Sequence, residues 1–144
     1  MRIGILGSGP MGGKLGTIFA RTGHQVVFSY AHTQEKLERL ARTAGKNART
    51  DTPREAAEHG EVLLLAVHWL RVDDVLRQAG NVKGKVIVTC SLPMNKSDSE
   101  LVTGLKSSGA ERPGHSARGA AIVSAFSTVP SEVLFAVFER RSRK

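Results

Sequence analysis

The chain has 144 residues, enough for one domain with a buried core, and its 40% hydrophobic and 24% charged residues are ordinary for a globular protein. Cys90 is the single cysteine, which excludes a disulfide framework and a thiolate metal cluster and fits a reducing cytoplasm; no apolar run approaches a signal-peptide core or the ~20 residues of a membrane span. A net charge of +8 raises nucleic acid as a partner, but the basic residues are scattered, aromatics make up only 5% and no zinc-finger pattern appears, so the expectation is no nucleic acid, no membrane, and a basic surface suited to a polyanionic small molecule.

Arg2-Ile3-Gly4-Ile5-Leu6 reads as a short buried strand and runs straight into Gly7-Ser8-Gly9-Pro10-Met11-Gly12, a match to G-x-G-x-x-G. Met11, Leu15, Ile18 and Phe19 then recur with the spacing of an amphipathic helix. Strand, glycine elbow and helix in that order are the context that gives the motif meaning. Gly7 permits the tight turn, Gly9 lets a pyrophosphate approach the backbone, and Gly12 lets helix and strand pack closely. The helix start offers unpaired N–H groups and a positive dipole end to the phosphates.

Thr22-Gly23 stops this helix, and Gln25 to Tyr30 is a second strand. Thr33 caps a second helix whose buried stripe is Leu37, Leu40, Ala41 and Ala44, ended by Gly45. A weak third strand lies around Asn47 to Thr50. Thr52-Pro53-Arg54-Glu55 resembles a capping box and opens a short helix to His59-Gly60. Val62 to Val67 is apolar on both faces, as a central parallel strand must be. Val72, Val75, Leu76 and Ala79 line the next helix, and Lys85 to Thr89 forms a fifth strand. From Cys90 to about Gly119 the pattern is less regular; Ser108 to Glu111 can start a helix that Pro113-Gly114 would cut short. Ala121 to Ala125 is a sixth strand, and Pro130-Ser131 opens a last helix with Leu134, Val137 and Phe138 on one side.

Alternating strands and helices predict an α/β fold with a doubly wound parallel sheet of the Rossmann, NAD(P)-binding type. Ligands of such sheets bind past the carboxyl ends of the strands, where strand order reverses. At the end of the second strand no acid is present to hold a ribose 2′-hydroxyl; Ser29, His32, Thr33 and Lys36 can instead donate to a 2′-phosphate, which favours NADP(H) over NAD. Ala66-Val67-His68-Trp69 ends the fourth strand and would lie over the nicotinamide half of the cofactor. His68 is a group able to act as acid or base, and Trp69 a packing or stacking wall. Ser91, after the fifth strand, can bond ribose or carboxamide, and the backbone near Ala125 can reach the carboxamide. Cys90 has no evident partner for nucleophilic chemistry. No metal-ligand cluster, paired carboxylates or Ser/His/Asp set stands out, so no catalytic residue is assigned; hydride transfer between two redox cofactors depends on positioning more than on acid–base groups.

These residues resemble the NADPH-dependent reductases of the deazaflavin coenzyme F-420. The resemblance covers essentially the whole chain and rests on the glycine elbow, Glu35-Lys36, Trp69 and the segment Val123-Ser124-Ala125-Phe126-Ser127-Thr128-Val129-Pro130. It implies hydride transfer between NADPH and the deazaflavin as second substrate. It also implies pyrophosphate contacts at Ser8, Gly9, Pro10 and Met11, Lys36 near the 2′-phosphate, Ala66 and Trp69 near ribose and nicotinamide, and Ala125 near the carboxamide. Where family members commonly carry Ser-Arg for the 2′-phosphate this chain has Ala31-His32, and proline is common where His68 stands.

Residues 1–129 are thus expected to form the dinucleotide-binding domain and 130–144 the start of a C-terminal helix, the rest of the family's helical second domain being absent. That absence would uncover apolar surface near Leu134, Phe135 and Phe138, favouring a homo-oligomer, and would leave a chain that binds NADP(H) but turns over poorly alone. The alternatives are a non-catalytic NAD(P)-binding module, a dehydrogenase or imine reductase for a small organic substrate, and a metalloreductase of the same fold.

Overall fold

A computed structural model of the chain describes residues 1–103 and 107–142. Its strands are β1 (Arg2–Leu6), β2 (Gln25–Ser29), β3 (Ala48–Thr50), β4 (Val62–Leu65), β5 (Val86–Thr89) and β6 (Ala121–Ser124). They form one 6-stranded sheet in the order β3-β2-β1-β4-β5-β6, with every neighbouring pair parallel. The expected doubly wound sheet is therefore the observed one, and strand order reverses between β1 and β4.

The helices are α1 (Pro10–Arg21), α2 (Gln34–Ala44), α3 (Pro53–His59), α4 (Val72–Ala79), α5 (Glu111–Ser116) and α6 (Ser131–Ser142). Ile3, Ile5, Val26, Phe28 and Leu64 face Leu15, Ala20, Leu37 and Ala44 of α1 and α2 on one side of the sheet. On the other side Leu6, Val27, Leu63, Leu65 and Ile87 meet Ala56 and Ala57 of α3 and Val72, Val75, Leu76 and Ala79 of α4. Period-two alternation along strands covered on both faces explains why these runs are apolar throughout. Phe28, Leu63 and Leu65 are completely buried. Each such side chain is worth roughly 1.5–3 kcal/mol of burial, so the central strands carry most of the stability.

The predicted caps are present. Thr33 and Thr52 each accept the backbone N–H three residues on, from Lys36 and Glu55, both at 3.2 Å. β2, β4 and β6 stop one or two residues before the sequence pattern does, because Tyr30, Ala66–Val67 and Ala125 turn out of the ladder to form the rim of the sheet. Pro113 does not prevent α5: it is the third residue of that short helix, where its missing N–H falls among amides that lack a helical acceptor anyway. The irregular segment after β5 contains a tight antiparallel bridge between Met94 and Leu101, its turn gathered around the Asn95 side chain.

α6 does not follow the sequence expectation in full. It packs along α1, with Leu134 reaching the core under α1, Phe135 and Phe138 half-buried, and the Arg21 guanidinium 5.7 Å from the Phe135 ring. The expected stripe of Leu134, Val137 and Phe138 is split: Val137 is 48% exposed, together with Val133 at 50% and Val123 on β6 at 47%. The exposed apolar side chains of this flank are therefore these valines, whereas Leu134, Phe135 and Phe138 are half-buried. Among the described residues no helix is long and apolar enough to cross a membrane.

The contact between α6 and α1 also carries two ion pairs. Lys14 Nζ donates to Glu132 Oε1 at 2.6 Å, and Arg21 approaches Glu139 at 3.8 Å. The Lys14 ammonium holds the Glu132 carboxyl down to about 2, against an ordinary 4.5. A depressed folded-state value means the contribution is complete above about 4.5 and is lost as pH falls toward 2. Hydrogen exchange should therefore show the α6 amides losing protection across that acid window before the central strands do. Glu132→Gln should weaken α6 at neutral pH and flatten that part of the response.

Candidate functional site

The site begins where β1 turns into α1. Gly7 has φ +112°, outside the reach of most side chains, and its N–H donates to Ser29 O at 3.2 Å. Ser8 continues the pairing with a 3.0 Å bond to Tyr30 O, and its buried hydroxyl donates to Ser29 O at 2.9 Å. The elbow is thus tied to the end of β2 by three hydrogen bonds. A Cβ on Gly12 would stand 1.9 Å from Gly7 O, so α1 can approach β1 this closely only because that atom is missing. Gly9 is different: a Cβ there would meet no protein atom within 4 Å, so the space above it is open.

Gly9 caps α1 and Pro10, its first residue, carries no N–H. The amides of Gly9, Met11 and Gly12 have no acceptor among the described residues, and no acidic side chain lies in the first turn of the helix. Three unpaired donors at the positive end of a helix form an anion cradle.

The cradle opens into a cavity of about 590 Å³ bounded by the elbow, by Tyr30, Ala31, His32 and Lys36 from the β2 side, and by Ala66, Val67, His68 and Arg71 from the β4 side. Its charged lining is entirely cationic. A second cavity of about 340 Å³ shares Val67 and His68 with it and continues over the end of β5, past Trp69, Cys90, Ser91 and Asp98. Together they follow the carboxyl rim across the point where strand order reverses, as predicted.

Other predicted residues occupy different places. Ser29 is fully buried, its hydroxyl donating to Ile5 O at 2.7 Å, so it cannot reach a ligand in the cavity; the expectation of a Ser29 phosphate contact is corrected by strand alternation, which turns the side chain inward. Thr33 caps α2 and lines a shallower depression beside the main cavity. Met11 packs against the core on the α1 side of the sheet and offers the site its amide rather than its side chain. The Ser91 hydroxyl donates to Val67 O at 2.7 Å, bracing the β4 loop. Ala125 is half-buried, with its N–H on Thr89 O at 3.0 Å. Trp69 is only 3% exposed and packs in the core beneath α4, touching the second cavity with its edge position in the turn Trp69–Arg71.

His68 caps that turn. Its Nδ1 accepts from Leu70 N–H at 3.3 Å, which leaves the proton on Nε2 to donate to Asp98 Oδ1 at 2.9 Å. Burial pushes the Cys90 thiol up to about 11, so it stays protonated and inert as a nucleophile near neutrality. Sequence reasoning missed Tyr30, Arg71 and Asp98. Arg71 stands just past the fourth strand, where the sheet rule directs attention, but no motif marks it; Asp98 reaches His68 only through the folding of the β5–α5 loop.

Residues 2–93, well over half of the chain, match the family described as NADP oxidoreductase, coenzyme F420-dependent. No curated protein matches the sequence. Among solved structures, a hypothetical protein, SMa0349, from Sinorhizobium meliloti superposes with a TM-score of 0.82 at 21% identity, over 94% of this chain and 65% of that one. A protein from Arthrobacter sp. FB24, provisionally named an F420-dependent NADP reductase, gives 0.81 at 19% identity, over 92% of this chain and 65% of that one. A reductive aminase from Aspergillus terreus in complex with NADPH and ethyl levulinate gives 0.64 at 21% identity, over 85% of this chain and 39% of that one. The chain therefore spans 65% of the length of the first two, and the likeness to all three is one of fold.

The two glycines should separate cleanly on substitution. Gly12→Ala should lower unfolding stability by about 1–3 kcal/mol in urea titrations, the clash with a backbone carbonyl outweighing any gain in helix propensity. Gly9→Ala should leave it within about 0.5 kcal/mol.

Proposed function

The chain belongs to the family of coenzyme F420-dependent NADP oxidoreductases, and we propose that it binds NADP(H) along the carboxyl rim of its sheet and passes hydride between the nicotinamide and a deazaflavin of the F420 type. The observation that carries this reading is the open space above Gly9, faced by three unpaired amides and by a cavity lined by His32, Lys36 and Arg71 and by no carboxylate. That set fits a phosphorylated dinucleotide: a diphosphate needs backbone donors with no Cβ in the way, and an additional phosphate needs cations and no carboxylate.

In this reading Gly9, Met11 and Gly12 hold the diphosphate by their N–H groups, and Ala31, Ala66 and Val67 leave room for the adenosine. Val67, His68, Ser91 and Ala125 border the nicotinamide half, with Trp69 as the packed wall behind them. When bound, the reduced nicotinamide supplies a hydride. The residues of the rim contribute orientation and exclusion of water, which is the larger part of catalysis when both reactants are redox cofactors.

The His68–Asp98 pair supports a second reading. In it a small carbonyl or imine replaces Asp98 as the acceptor of the His68 Nε2–H, which polarises it for hydride addition while water supplies the proton. Following deazaflavin absorbance against NADPH, in parallel with NADPH oxidation by a cyclic imine, separates the two.

Fluorescence titration should show NADPH binding to the wild-type chain, and absence of such binding would sink the proposal. Gly9→Ala should weaken NADPH about tenfold or more while the unfolding midpoint stays put. A variant that binds as tightly as wild type would show that the diphosphate does not sit on this cradle.

A further inference from the structure

The residue after β2 is held in an unusual conformation. Tyr30 has φ +58°, a left-handed backbone that a bulky side chain rarely adopts. Its hydroxyl donates to Asp74 Oδ2 at 2.6 Å, so the ring spans from the end of β2 to the first turn of α4. Asp74 also accepts from Gln78 at 3.1 Å and from Arg77 at 3.4 Å, which leaves its carboxylate held below the ordinary range and outside the lining of the main cavity. The carboxylate in this corner is thus occupied by Tyr30, Gln78 and Arg77.

Arg71 lies beside the same hydroxyl, and its charge acts on both the Tyr30 hydroxyl and the Asp74 carboxylate. Its N–H donates to His68 O at 2.8 Å and it forms the cap of α4, so its backbone is fixed from both directions. Its side chain is exposed, lines the cavity, and places its charge on the Tyr30 hydroxyl. It makes no ion pair among the described residues. The turn between β2 and α2, where the ribose of a dinucleotide is read about 20 residues past the glycine elbow, supplies His32 and Lys36 but no guanidinium. A phosphate monoester carries close to two charges, and its planar, bidentate partner of choice is arginine.

Resting on the dinucleotide reading above, we infer that Arg71 is the residue that selects a phosphorylated ribose, reaching it across the cavity from the β4 side, with Tyr30 keeping Asp74 from repelling the phosphate. Specificity in this chain is then assembled from two elements on opposite sides of β1: Lys36 and His32 at the head of α2, and Arg71 at the head of α4. The diphosphate cradle is common to both dinucleotides, so the two functions are separable by choice of ligand.

The test measures dissociation constants of NADPH, NADH, adenosine 2′,5′-bisphosphate and adenosine 5′-monophosphate for wild type, Arg71→Ala, Arg71→Lys and Tyr30→Phe, with unfolding midpoints as a control on the fold. Arg71→Ala should weaken NADPH and the bisphosphate about ten- to a hundredfold, the scale of one charged hydrogen-bonding partner, and change NADH and the monophosphate by less than about threefold. Arg71→Lys should recover part of the loss. Tyr30→Phe frees a carboxylate oxygen of Asp74 and should narrow the NADPH-to-NADH ratio several-fold. Equal losses for NADPH and NADH in Arg71→Ala would place the guanidinium on the diphosphate and overturn the assignment, as would an unchanged ratio. A wild-type chain that binds NADH as well as NADPH would overturn the cofactor reading and this inference together. A wild-type preference for NADPH that survives Arg71→Ala would overturn the inference alone.

Discussion

The structure depends on how closely the first helix can approach the first strand. With no atom beyond Cα at residue 12, α1 settles against the carbonyl of Gly7, and Gly7 and Ser8 are in turn tied to the end of β2. That contact fixes where the axis of α1 points and leaves the amides of Gly9, Met11 and Gly12 aimed at open space instead of at protein. The cavity, its alignment with the reversal of strand order and the placement of cations around it follow from this geometry. The elbow is fully hydrogen-bonded where it is structural and unpaired where a ligand would lie, which is the division of labour that P-loop-like and dinucleotide cradles share.

Energetically the domain has a strong centre and a weaker flank. β1, β2, β4 and β5 bury large apolar side chains on both faces, whereas β6 is an edge strand with Val123 exposed and α6 is attached to α1 through solvent-exposed charges and half-buried phenylalanines. Exposed ion pairs add little net stability, so the carboxyl-terminal flank is the part most easily loosened. The glycine elbow between β1 and α1 lies on the strong side.

The rim gathers residues whose chemistry is set by neighbours rather than by type. His68 is held in one tautomer by Leu70 N–H and Asp98, Ser91 is committed to the Val67 carbonyl, and Cys90 is kept protonated by burial. Tyr30, in its left-handed conformation, donates its hydroxyl to Asp74, whose carboxylate is not part of the cavity lining. A static scaffold of satisfied side chains around unpaired amides and exposed cations is suited to holding a large anionic cofactor in one orientation, and the family to which the chain belongs uses such a cofactor.

Much of this was legible in the order of residues, for a physical reason: hydrogen bonding within strands and helices and burial on two faces both impress short periods on a sequence. The glycine elbow, the apolar run of β4, the caps at Thr33 and Thr52 and the alternation of elements are local patterns, and they led to the doubly wound sheet and to the position of the cradle. What folding alone decided were contacts between residues far apart in the chain. Ser29 looked like a phosphate donor until strand alternation turned it toward Ile5; Asp98 came to His68 through a loop with no readable period; Arg71 became part of the cavity because a turn after β4 brought it beside Tyr30. Spacing along a chain records which face a side chain takes, but the partner across a cavity is fixed by the packing of whole elements, and that information is present only once they have assembled.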